Sequence, residues 1–321
     1  MRAVIPAAGV GKRLRPFTYE LPKVMISLAG KPLIGHILDH ITSSGVTSVS
    51  LIVGYMGEQV IEYVRETYPD LRVDFPYQAE RRGLGHAVLM GLEEKDEDVL
   101  ILLGDTIFDV DFRTFIENNQ NSIAVVQVDD PRRFGVAEVN SENRVTRLVE
   151  KPDDPRSNLA LAGLYYIKNQ RTLSDAIRSL IENDITTRGE YQLTDALQLM
   201  IEQGMDVKAV EINGWYDCGT KDSLLASHKF LLKHSVSPEN ERNCKLVPPV
   251  FIHPTAQVSE STIGPYVTID GGAIVSGSEI ENAIIGKDTV VRNMILSNAL
   301  LDDQSMSEAE EITPIKKGLG I

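Results

Sequence analysis

Residues 1–18 read MRAVIPAAGVGKRLRPFT. A short apolar strand over 2–8 runs into a small-residue turn, and the turn is followed at once by Lys12, Arg13 and Arg15. A strand feeding such a turn opens an α/β unit, in which ligands are met at the carboxyl ends of the strands. The first 31 residues hold six basic side chains and one acidic one, Glu20, although the chain of 321 residues has a formal net charge of −14. This local reversal of sign predicts an anion at the N-terminal loop. Backbone N–H groups of Ala7, Ala8, Gly9 and Gly11 can cradle phosphate oxygens, and Arg13 can fork two of them.

Outward from this turn, β-branched runs alternate with helical patterns. Leu33, Ile34, Ile37, Leu38 and Ile41 mark one face of a helix that ends near Gly45. Strands are expected at 48–54 (SVSLIVG), 71–78 and 98–104 (DVLILLG), with helices over 58–68 and 85–94. The run 98–104 is apolar on both faces, which makes it central. Strand–helix–strand alternation of this kind builds a parallel sheet with helices on both faces. Between 122 and 167 successive strands replace the alternation, as an antiparallel addition. Helices return over 171–182, 195–202 and 223–234, with a strand at 207–212.

After a polar linker (237–249) an aliphatic residue recurs every five or six positions: Ile252, Val258, Ile263, Ile269, Val275, Ile280, Ile285, Val291, Leu296 and Leu301. Neither the helical nor the strand period fits, so this is an internal repeat. It is similar to the hexapeptide repeat of left-handed parallel β-helices, in which three faces make a coil, and its length supplies roughly three coils. The expected organisation is therefore α/β. A Rossmann-like, mostly parallel sheet with helices on both faces fills 1–236. A short left-handed parallel β-helix occupies 250–301, and 302–321 is a cap or tail. So short a stack leaves apolar ends, which predicts a homo-oligomer formed through the repeat.

Composition narrows the partners. Net negative charge argues against nucleic acid or an anionic membrane surface. Cys218 and Cys244 make no disulfide framework and lack metal-ligand spacing, which fits a reducing cytoplasm. No apolar run approaches the length of a membrane span, and Met1-Arg2-Ala3 leads into a strand rather than a signal peptide.

The turn fails two phosphate fingerprints. Gly9-Val10-Gly11 lacks the third glycine of a dinucleotide-binding G-x-G-x-x-G, and Gly11-Lys12-Arg13 lacks the Ser/Thr of a Walker loop. What remains is G-x-G-x-R followed ten residues later by Pro22-Lys23. Together these resemble the signature of the sugar-1-phosphate nucleotidyltransferases, most closely the glucose-1-phosphate thymidylyl- and uridylyltransferases with a C-terminal β-helix. The resemblance runs along nearly all of the chain. It implies that Arg13 and Lys23 are catalytic, holding a triphosphate and offsetting charge as pyrophosphate leaves. It implies that YQAERRGLGHA (77–87) reads the base, with Gln78 and the backbone at Gly83 on a pyrimidine. It assigns Gly135 (RRFGVAEV), Glu150 and Lys151 (VEKP), and Gly163 and Tyr165 (AGLYY) to the sugar-phosphate pocket. Asp105 (LLGD) and Asp217 (WYDCGT) become the carboxylates for Mg²⁺. The N-acetylglucosamine-specific members carry Asn-Thr-Gly where this chain has Leu161-Ala162-Gly163, so the resemblance favours glucose; the base stays open between dTTP and UTP.

Chemistry agrees with this reading. A sugar phosphate is already ionised near neutral pH, so nucleotidyl transfer needs positioning and charge stabilisation rather than a strong base. Two other readings stand beside it. Asp109-Val110-Asp111 imitates the D-x-D of metal-dependent glycosyltransferases, which consume nucleotide-sugars; its plain alternative is a pair of solvated acids before a helix. A non-catalytic nucleotide-sugar sensor is expected to lose Arg13, Lys23 or a metal carboxylate, and none is lost.

Overall fold

The computed structural model describes residues 1–233 and 243–302, together with the backbone of Thr313–Pro314. The first part of the expected linker, 237–242, and nearly all of the expected tail lie outside the described residues. The chain divides into two compact units, Met1–Gly9 with Ile37–Trp215, and Val10–His36 with Tyr216–Ile321.

The first unit is built on a nine-stranded sheet. Its strands are β1 (Arg2–Pro6), β2 (Ser48–Ile52), β3 (Arg72–Asp74), β4 (Val99–Leu102), β5 (Ser122–Gln127), β6 (Gly135–Val139), β7 (Val145–Glu150), β8 (Leu159–Ile167) and β9 (Lys208–Glu211). The main path runs β7-β6-β8-β4-β1-β2-β3, and β5 joins β8 to β9. Strands β4, β1, β2 and β3 pair in parallel, whereas β8 runs antiparallel to β4, β5 and β6. This is the expected α/β architecture with its antiparallel addition. Strand β4 is central as its composition requires, with Val99 to Leu102 all fully buried. The apolar stripes of helices Leu84–Gly91, Gln170–Glu182 and Leu193–Glu202 close over the sheet through Val88, Leu173, Ile177 and Leu197. The second of these starts where Asn169 accepts bonds from the N–H groups of Arg171 and Thr172 at 2.9 and 3.3 Å, a capping that satisfies two otherwise orphan donors.

One expected strand is interrupted. Over 71–78 only Arg72–Asp74 pairs continuously, because Pro76 has no N–H to give. Its carbonyl accepts from Val53 N at 3.0 Å, and Gln78 N donates to Val53 O at 2.8 Å, so pairing resumes as a single bridge, Val53 with Tyr77. The break delivers Gln78 to the end of β2.

The second unit contains the β-helix, left-handed as expected from the repeat. Three parallel ladders form its faces: residues 250–252 lie beside 267–269 and then 283–285, and the other two faces repeat this. Val250 pairs with Val267 and Val267 with Ala283, so a coil takes 17 and then 16 residues. Every aliphatic of the repeat points inward. Ile263, Ile269, Val275, Ile285 and Val291 are fully buried, and Ile252 and Val258 pack at the first coil. The segment 10–36 belongs to this unit: a Cβ at Gly30 would stand 2.2 Å from Phe251 Cζ. Helix Lys221–Leu232 is fastened to the β-helix by His228, whose Nε2 lies 2.8 Å from Thr268 Oγ1.

His228 is fully buried and its Nδ1 has no partner. Burial, helped by the charge of Lys229, pushes its pKa down to about 3. The unfolded chain protonates this ring near pH 6.5 while the folded chain does not, so stability from this residue is full above that value and is lost as the pH falls toward 3. Between those limits the wild type should lose about 1.4 kcal/mol per pH unit more than a His228→Gln variant. Urea denaturation of both proteins across the window checks this; parallel stability curves would refute it.

Candidate active site

The candidate residues fall into both units. Ala7, Ala8, Gly9, Gln78, Gly83, Asp105, Gly135, Glu150, Lys151, Gly163 and Tyr165 belong to the first; Gly11, Arg13, Lys23 and Asp217 belong to the second.

In the first unit three groups form. The first gathers at the carboxyl ends of β1 and β4. Gly104 N donates to Pro6 O at 3.1 Å, and a Cβ at Gly104 would stand 2.7 Å from that oxygen, so the two chains touch backbone to backbone. This close approach sets Asp105 next to the Ala7–Gly9 turn. Ala8 is pressed equally against Gly54, where a Cβ would meet it at 2.8 Å. The small residues are there because backbone passes backbone.

The second group holds Gln78, which is 7% exposed, with Nε2 3.2 Å from His86 Nδ1. Burial and the charge of Arg82 lower the His86 pKa, so the ring stays neutral and serves as a hydrogen-bond partner. Gly83 has φ +113°, and a Cβ there would lie 2.5 Å from Tyr191 O and 2.7 Å from Tyr191 N. Only glycine satisfies both demands. Tyr191 N donates to Arg82 O and Gly85 N to Tyr191 O, each at 2.8 Å, while the Arg82 guanidinium lies 5.0 Å over the Tyr191 ring.

The third group lies where β6 and β7 pair. Glu150 stands opposite Gly135; its Oε2 accepts from Thr194 Oγ1 at 2.7 Å and its Oε1 meets Lys151 Nζ at 3.0 Å. A Cβ at Gly135 would fall 2.8 Å from Leu161 Cδ1 and 3.1 Å from Glu150 Oε2. Gly163 has φ +87° at the point where the β5–β8 register shifts, and its side-chain position is taken by Leu103. It is a bulge glycine. Tyr165 is 3% exposed, and burial, with the Glu150 charge adding, holds its phenol neutral. Asp195, on the helix that Thr194 enters, keeps Oδ2 buried without a partner; burial raises its pKa, against a hydrogen bond from Thr187.

The second unit brings its four residues together in pairs. Gly11 is left-handed at φ +66°, and a Cβ there would lie 2.9 Å from Thr18 Cγ2 and 3.1 Å from Lys23 Cβ. Thr18 Oγ1 donates to Gly11 O at 2.8 Å. Lys23 is 6% exposed, its aliphatic stem packed on the turn. The Asp217 carboxylate and the Arg13 guanidinium both flank Gly219: a Cβ there would be 2.8 Å from Asp217 Oδ2 and 3.0 Å from Arg13 Nη2.

Among the described residues no group of three or more His, Cys, Asp or Glu could hold a metal by itself. Asp111 is otherwise employed. Its carboxylate caps helix Phe112–Glu117, accepting from Arg113 N at 3.0 Å and Thr114 Oγ1 at 2.9 Å, and these bonds lower its pKa. Sequence reasoning passed over Tyr191 and Thr194, which tie the loop 187–194 to both the Gly83 turn and Glu150. Within the stretch GEYQLTDAL (189–197) nothing announces these long-range partners.

The family model described as nucleotidyl transferase matches residues 2–234. The chain is 35% identical to the bifunctional protein GlmU of Methanococcus vannielii, over 92% of this chain and 76% of that one. It is 33% identical to the UTP–glucose-1-phosphate uridylyltransferase AglF of Haloferax volcanii, over 67% of this chain and 89% of that one. With a glucose-1-phosphate thymidylyltransferase of Streptomyces antibioticus it shares 31% identity, over 91% and 88%. Among solved structures it is similar to a putative glucose-1-phosphate thymidylyltransferase from Bacillus anthracis, with a TM-score of 0.63 and 25% identity over 75% of this chain and 98% of that one. The family model and these relatives agree, and the chain belongs to the nucleotidyl transferase family as a sugar-1-phosphate nucleotidyltransferase.

Proposed function

We propose that this chain transfers a nucleotidyl group from a pyrimidine nucleoside triphosphate, dTTP or UTP, to glucose 1-phosphate, giving NDP-glucose and pyrophosphate. The observation that carries the reading is the buried amide of Gln78, held by His86 beside the Gly83 turn. An amide offers a donor and an acceptor together, which suits the O4 and N3–H edge of a pyrimidine. Glucose is favoured because the apolar Leu161 stands against Gly135, where an acetamido group would need a polar partner. Two relatives carry names that specify glucose 1-phosphate.

In this reaction a phosphate oxygen of the sugar phosphate attacks the α-phosphorus, the bond to the bridging oxygen of the β-phosphate breaks, and pyrophosphate leaves. Arg13 and Lys23 hold the triphosphate and offset the charge that builds on the departing group. Ala7, Ala8, Gly9 and Gly11 present backbone N–H groups to it. Glu150, oriented by Thr194, accepts from sugar hydroxyls, and Lys151 meets the sugar phosphate beside Gly163 and Tyr165. Asp105 and Asp217 would hold Mg²⁺, which when bound supplies neutralisation of the phosphate oxygens. On this reading residues 1–236 act as the catalytic domain and 250–301 as an assembly module, in a reducing cytoplasm where Cys218 and Cys244 remain thiols.

Pyrophosphate release measured over a panel of triphosphates and sugar phosphates tests the assignment. dTTP and UTP with glucose 1-phosphate should lead; better turnover with ATP or GTP would overturn it. Gln78→Ala should narrow the preference for the best triphosphate by about 1–3 kcal/mol, the loss expected when a buried polar edge goes unpaired.

The carboxylates separate this chemistry from glycosyl transfer. Asp105→Asn and Asp217→Asn should each lower kcat by ~10²–10³ in a Mg²⁺ titration. Asp109→Asn should leave kcat near the wild-type value, and so should Asp111→Asn, since asparagine caps a helix as well as aspartate does. Inactive Asp109 and Asp111 variants would move the assignment to a glycosyltransferase.

The β-helix exposes Val290 (37%) and Ile295 (42%) on its outer faces. These support a homo-oligomer formed through the repeat. Light scattering should give a smaller species for a Val290→Asp/Ile295→Glu protein than for the wild type, and equal masses would count against the assembly.

A further inference from the structure

Within the second unit a cavity of about 630 Å³ opens between the segment 16–32 and the corners of the β-helix. Its volume is that of a site for a small organic molecule. Most of its wall is apolar: Pro16, Phe17, Leu21, Met25 and Ile26 on one side, Ile284 on the other. An occupant therefore has an apolar body.

One end of the cavity is polar and of fixed sign. Asp270 stands there with Oδ1 accepting from Ser27 Oγ at 2.8 Å. Burial pushes its pKa up to about 6, against that hydrogen bond and the nearby His253, so at neutral pH it is an ionised carboxylate with little solvent to support it. Glu20, Asp288 and Asp302 line the same cavity, against Lys287 and His253. The His253 ring is engaged through Nδ1 with Thr255 Oγ1 at 2.9 Å. The frame is built of close-packed backbone. Gly272 N donates to Thr255 Oγ1 at 3.1 Å, Gly272 is left-handed at φ +75°, and the Asp288 carboxylate takes its side-chain position.

Four acids against Lys287 and His253 leave this end disfavouring nucleotides and sugar phosphates, so it is not a second substrate site. Nor do the carboxylates converge closely enough for a bare divalent ion, since no three His, Cys, Asp or Glu among the described residues could hold a metal. We propose that this cavity is a binding site for a small amphipathic organic cation, an ammonium or guanidinium on an apolar body, whose head pairs with Asp270 while its body lies between Met25 and Ile284. A charged head supplies the donors that Ser27 alone cannot, and the apolar wall takes the rest.

Methyl NMR of the full chain, labelled at Met and Ile, tests this without any turnover, so its outcome stands apart from the transferase reading. The probe is 2-phenylethylammonium, with 3-phenylpropionate as its anionic counterpart, near neutral pH. The ammonium should shift the Met25 and Ile284 methyls saturably with Kd of ~1 mM or tighter, and the carboxylate should leave them in place. Asp270→Asn should weaken the ammonium by about tenfold or more, the loss of one charge-assisted hydrogen bond. Should that variant unfold, Asp288, exposed at the rim with φ +59°, can be changed to Asn, which tolerates that left-handed backbone; Asp288→Asn should weaken binding by about threefold. Unmoved Met25 and Ile284 methyls, equal binding of the carboxylate, or affinity indifferent to both substitutions would overturn the proposal.

Discussion

The left-handed turn at Gly11 leaves no room for a side chain, because Thr18 and Lys23 are packed against the place a Cβ would occupy. That constraint decides how a basic side chain comes to be 6% exposed at the start of an acidic protein. Lysine is seldom buried unless its charge has somewhere to go. Here its stem is covered by the turn. The same logic governs the other tight glycines. Gly83 and Gly163 each sit where backbone meets another residue too closely for a Cβ, and both flank groups read as binding base or sugar.

Much of this was legible in the sequence because periodicity reports burial directly. The repeat from Ile252 to Leu301 could be read as a β-helix, since every fifth or sixth aliphatic has to point inward in such a coil, and all of them do. Strand 98–104 was legible as central because its residues are apolar on both faces. The strand expected over 71–78 shows the limit. Its hydrophobic pattern persists through Phe75 and Tyr77, but Pro76 removes a donor, and only the structure shows pairing reduced to one bridge.

The division of the chain was less legible. Sequence patterning places 10–36 with the strands around it, whereas these residues pack with 216 onward. Nothing local signals that Gly30 must be bare to admit Phe251, or that Ser27 will meet Asp270. For the candidate site the motif positions were readable, but their supports were not. Thr194 behind Glu150 and Tyr191 behind Gly83 act through contacts with partners 44 and roughly 110 residues away, and such pairs leave no periodic trace.

The packing of Phe251 over Gly30 has a consequence for how the protein comes into being on the ribosome. The segment that carries Arg13 and Lys23 is among the first to emerge, yet its ring-shaped cover is translated roughly 220 residues later. At ordinary elongation rates of ~5–20 residues per second the early loop waits on the order of ten seconds or more for that cover. During that wait the nine-stranded sheet can close without it. Nascent chains should therefore pass through a stage with the sheet formed and the basic segment still lacking its β-helix packing. Order in the segment 10–36 is thus among the last features the growing chain acquires, although its residues are the first to be made.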